Sequence, residues 1–153
     1  THERGRMMNW YPVFLTLHIF AALMFVGTVF FEVLILEGIR PQVSPRFMLA
    51  VERAIGNRAR KIMPWVLLVL YGSGIGMVLN RYLPLLEHPF SSAFGIMLSL
   101  KILLALSVFG HFLTAMTLRG SGKLSSRHFQ LIHLSVFCHM IGIVLLAKWM
   151  FYV

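Results

Sequence analysis

Four apolar runs constrain this chain more than any other feature. They fall at about 13–36, 62–79, 94–118 and 129–152. Each is close to the ~20 residues that an α-helix rising ~1.5 Å per residue needs to cross a bilayer. Helix signals flank them. Asn9 and Pro12 open the first run, and Gly38 and Pro41 close it. Pro64 stands in the first turn of the second. Pro89 with Ser91 and Ser92 precedes the third, which ends at Arg119-Gly120. Ser125 or Ser126 is placed to cap the fourth.

Composition agrees. The chain is 58% hydrophobic and 12% charged, where a soluble domain carries roughly 25% charged residues. A chain this apolar could not cover its surface in water. The expected fold is all-α: an integral membrane four-helix bundle with up-down topology, one transmembrane domain over residues 1–153. Segment 42–61 sets Phe47, Met48, Leu49, Val51 and Ile55 among Arg and Glu. It reads as a short amphipathic helix at the interface between the first two spans. Thr1 to Asn9 reads as a polar tail, because the run after it is too long for a signal peptide's apolar region. The chain reads as free of repeats.

The formal net charge is +9, but no nucleic-acid motif accompanies it, so nucleic acid is not an expected partner. The basic residues sort by side instead. Arg40, Arg46, Arg53, Arg58, Arg60 and Lys61 follow the first span, and Arg119, Lys123 and Arg127 follow the third. Only Arg4, Arg6 and Arg81 lie on the other side. The positive-inside rule places the two basic loops in the cytoplasm and both termini outside, the periplasmic side of a bacterial inner membrane. Trp10, Tyr11, Tyr82, Trp149 and Tyr152 then form an outer aromatic belt. The single cysteine, Cys138, excludes an intrachain disulfide.

Ionisable groups at membrane depth are costly, which makes them functional candidates. His18 lies in the first span, Lys101 and His111 in the third, His133 and His139 in the fourth. Glu32 and Lys148 sit near helix ends, where snorkelling or a loop charge accounts for them. Counting along the helices puts His18 level with Lys101, His139 near the midplane, and His111 level with His133. Imidazoles from two helices suit haem iron held from both sides, or copper or zinc. The second span has no His but carries Gly72-Ser73-Gly74-Ile75-Gly76. Gly72 and Gly76 have the spacing of close helix packing, and they also offer room for a flat ring. Cys138-His139-Met140 is no shared site, since neighbours on a helix point about 100° apart.

These residues resemble the HemJ/CopD group of small bacterial membrane proteins. The likeness covers the first three spans: LHIFAALMFVGTVFFEVLIL with His18, RARKIMPWVLLVLYGSGIGMVL with its basic lead-in, early proline and glycines, and LSLKILLALSVFGHFLTAMTLRG with Lys101 and His111. The group has a Tyr where Gly110 stands, and His133 and His139 have no counterpart there. HemJ-type members are haem-b-associated protoporphyrinogen oxidases, and CopD-type members are linked to copper uptake. The resemblance implies a haem-b-binding membrane oxidoreductase or electron-transfer protein, coupled to quinone, with one haem or two. By their counted depth, and not by the resemblance, His18 and His139 would be axial ligands, with His111 and His133 as the rival pair or a second site. Lys101 would hold a propionate or an acidic substrate group through its charge. The alternatives are a copper-handling protein with His and Met ligands, and an accessory subunit of a larger membrane complex or homodimer.

Overall fold

A computed structural model describes residues 9–122 and 126–153; the tail before Asn9, Lys123 and the expected cap Ser125 lie outside them. Four helices are long and apolar enough to cross a membrane, as in a multi-pass membrane protein. They are α1 (Tyr11–Gln42), α2 (Pro45–Glu87), α3 (Ala93–Gly120) and α4 (Ser126–Trp149). No strand occurs among the described residues. Helices suit lipid because each satisfies its own backbone hydrogen bonds.

The starts are set locally. Ser44 accepts from the backbone N–H of Phe47 at 3.1 Å with Pro45 behind it, and Ser92 accepts from that of Gly95 at 3.0 Å. Both are ordinary N-caps. The amphipathic segment is helical as expected, but it is not a separate element. It runs without a break into the second span, over Pro45–Met77. Pro64 therefore sits inside a helix rather than at its first turn. A proline there removes one hydrogen bond, that of the Arg60 carbonyl. That carbonyl lies among the basic residues at the end of the span, where side chains and water can serve it. Both long helices also contain a wide π-helical turn, at Phe31–Leu36 in α1 and Val78–Tyr82 in α2.

The helices alternate in direction. At one end Tyr82, Leu98 and Met150 pack with Tyr11 and Phe94. The Tyr11 and Tyr82 hydroxyls are 2.8 Å apart, and Arg81 lies over the Tyr11 ring. At the other end Leu36, Met48 and Phe129 join α1, α2 and α4. There Arg40 grips Glu37 by two nitrogens, at 2.8 and 2.9 Å, and also reaches Glu52. Between the ends, Ala21, Phe25 and Val29 of α1 meet Val66 and Leu67 of α2, Val108 of α3, and Val136 and Met140 of α4. The outward faces are apolar: Phe20, Leu23, Trp65, Leu68 and Leu103 are all more than half exposed. Lipid is the solvent that makes such a surface stable.

Candidate functional site

Each intramembrane histidine is fixed by the turn below it or by a neighbouring helix. His18 sits on the α1–α2 seam. Its Nδ1 is 2.9 Å from the Leu70 carbonyl and 3.3 Å from the Ser73 hydroxyl. A carbonyl only accepts, so Nδ1 carries the proton and donates it. The lone pair is then on Nε2, which has no hydrogen-bond partner among the described residues. Gly74 lies close beside the ring, since a Cβ there would lie 3.2 Å from the imidazole. Lys101, half-buried on α3, has no hydrogen bond or ion pair of its own among the described residues.

His111 and His139 come together, with ring centroids 4.9 Å apart. Each Nδ1 donates to the carbonyl one turn back in its own helix, at 2.7 Å: Ser107 for His111, Ser135 for His139. Each Nε2 then accepts from the serine of the other helix. Ser135 Oγ is 2.8 Å from His111, and Ser107 Oγ is 2.9 Å from His139. The arrangement is reciprocal because the sequence is. Leu106-Ser107-Val108-Phe109-Gly110-His111 and Leu134-Ser135-Val136-Phe137-Cys138-His139 share five of six residues, contrary to the reading of a chain without repeats. Matching Ser-xxx-His spacings in two apolar helices were the signal for it.

This pairing also differs from the counted levels, which joined His111 to His133. Side chains on a helix lean toward its N-terminus. α3 and α4 run in opposite directions, so the two rings lean toward each other and meet between the levels of their Cα atoms. His133 contacts a different partner. Its Nδ1 donates to the Phe129 carbonyl at 2.7 Å, and its Nε2 abuts the Glu32 carboxylate. Glu32 is only 3% exposed. It is therefore neither snorkelling nor paired with a loop charge. Counting protons, Nδ1 needs one for Phe129, and an ion pair with the carboxylate requires a second on Nε2. Lys148 does face the end of the bundle, 5.4 Å from the Tyr152 ring.

The glycines divide. A Cβ on Gly76 would lie 2.7 to 2.9 Å from three ring atoms of Phe14, whereas nothing lies within 4 Å of one on Gly72. Phe14 thus takes the room expected at Gly76. Gly76→Ile is expected to destabilise the bundle by about 1–3 kcal/mol through overpacking. Gly72→Ile is expected to stay within about 0.5 kcal/mol of the parent. Equal melting temperatures for the two variants in detergent would contradict this packing.

A cavity of about 330 Å³ lies in the basic half, among all four helices. Glu32 and His133 stand in its wall; His18, Lys101, His111 and His139 do not line it. No group of three or more His, Cys, Asp or Glu positioned for a metal ion occurs among the described residues. Cys138 is exposed and Met140 is buried, so the Cys-His-Met triplet faces several ways. Compared with known proteins, the chain matches no family model, no curated protein and no solved structure.

Proposed function

We propose that this chain is a haem-b-binding oxidoreductase of a bacterial inner membrane, with its basic end in the cytoplasm and its termini periplasmic. One observation carries the reading. On the α1–α2 seam stands an imidazole with a free Nε2 lone pair, and α3 carries an ammonium without a carboxylate partner among the described residues. A neutral histidine whose Nδ1–H is held by a carbonyl is the form that ligates iron, and the second hydrogen bond sets its orientation. The donor set thus fits haem at His18, with Lys101 for a propionate. His139 would be a second residue to hold the group, were the Ser107 hydroxyl to turn away from its Nε2. The bound haem would supply one-electron transfer. The likeness to the HemJ/CopD group supports protoporphyrinogen IX as electron donor and quinone as acceptor.

The test is a reduced-minus-oxidised absorption spectrum of protein purified after haem-replete expression, with pyridine haemochrome quantification. About one haem per chain is expected. A sample without a Soret band rejects the reading.

The Ser–His pairs favour a second reading. His111 and His139 act there as interhelical hydrogen-bonding groups, as in an accessory subunit of a larger membrane complex. Co-purification with stoichiometric partners and no haem would select it.

A further inference from the structure

The basic-side cavity has a chemistry that the His18 site does not use. Its mouth is cationic. Arg60 and Arg119 both line it, and both turn to the same neutral acceptor, Asn57 Oδ1. Neither has a carboxylate partner among the described residues. The shared acceptor brings the two guanidiniums side by side. The nearby acids are engaged elsewhere, Glu52 with Arg40 and Glu32 with His133. Gly56 lets Arg119 lie flat against α2, since a Cβ there would fall 2.1 Å from Nη1. Two like charges held side by side, with no carboxylate on either among the described residues, favour an anion beside them.

Behind the mouth the walls are apolar. Met63, Phe112, Val108 and Val136 line the cavity. From Arg119 back to Val108 along α3 is about 16 Å at the helical rise of ~1.5 Å per residue. Higher up, α2 and α3 are tied by Tyr71, which donates to the Ala105 carbonyl and packs on Phe109. Below that tie the cavity separates them, with Ala59 and Met63 on one side and Ala115 and Met116 on the other.

We propose that this cavity binds an amphipathic anion, its phosphate or carboxylate head on Arg60 and Arg119 and its aliphatic chain against Met63, Phe112 and Val108. The cleft between α2 and α3 gives such a molecule entry from the bilayer. A phospholipid and a free fatty acid share this chemistry. The site is independent of the proposed haem, because neither His18 nor Lys101 lines it.

The experiment is native mass spectrometry of the full chain in detergent with dioleoylphosphatidylglycerol, oleate or dioleoylphosphatidylcholine. One anionic molecule per chain is expected to stay bound, about tenfold more tightly than the zwitterion, as charge-assisted contacts imply. Retention of phosphatidylglycerol names a phospholipid; retention of oleate alone names a free acid. The double variant R60Q/R119Q is expected to lose the preference, while R60K/R119K keeps most of it. Ala115→Phe, which fills the cavity and leaves both arginines, is expected to lower occupancy by about tenfold, with Ala59→Leu as a second filler should the first not fold. Equal binding of all three lipids overturns the proposal. So does an anion preference that survives both the charge and the filling variants. Haem content does not enter this readout.

Discussion

His133→Leu is expected to lower the unfolding free energy by about 3–5 kcal/mol, the cost of removing one partner of a buried ion pair. The reason is the position of Glu32, which is buried on α1 against the His133 ring. Without the imidazole its carboxylate must take up a proton or stay charged among apolar groups. Glu32→Leu is expected to cost less, about 1–3 kcal/mol, because the imidazole left behind becomes neutral and loses one hydrogen bond. It keeps its bond to the Phe129 carbonyl. The double variant should be more stable than His133→Leu alone, since it leaves no buried charge. Chemical unfolding in detergent, followed by circular dichroism, gives all three values. A His133→Leu variant within about 1 kcal/mol of the parent, or a double variant no better than the single, would show that the two groups do not act as a pair.

His18→Ala is expected to reduce haem content by at least about tenfold, since even second-shell changes at metal sites cost ~10–100-fold. The effect should be local to the α1–α2 seam. His133→Ala leaves His18, Leu70 and Lys101 in place and should keep its haem. His139→Ala separates two arrangements. If His139 is the opposite ligand, haem remains on His18 but shifts from low to high spin. If the reciprocal Ser–His pairs stay closed when haem is bound, the spectrum is unchanged. Lys101→Met should loosen haem without shifting its spin state, because the ammonium would hold the propionate and not the iron. A haem stoichiometry unaltered by His18→Ala would remove this residue from the site.

The glycine-bearing second span shows how far pattern reading extends. Gly72 and Gly76 share the spacing of a packing motif, but only Gly76 meets a neighbour, the Phe14 ring. Gly74, outside that spacing, is the one beside His18. Spacing gives the relative angle of two residues on one helix. It does not give the rotation of that helix against its neighbour. Pro64 misled in a related way. A proline near an apolar run resembles a helix start, but here the helix begins at Pro45, where Ser44 caps it.

The four crossings were legible in the chain by itself, and so were the opposite ends for aromatic and basic residues. Each rests on a one-dimensional match between side chains and depth in a layered solvent. The partners of the buried groups were decided only in three dimensions. Glu32 reaches His133, and Ser107 and Ser135 bind the histidines of each other's helix. Those contacts depend on helix rotation and on the lean of side chains toward each helix's N-terminus, which brings groups on antiparallel helices together across levels that a count of residues keeps apart.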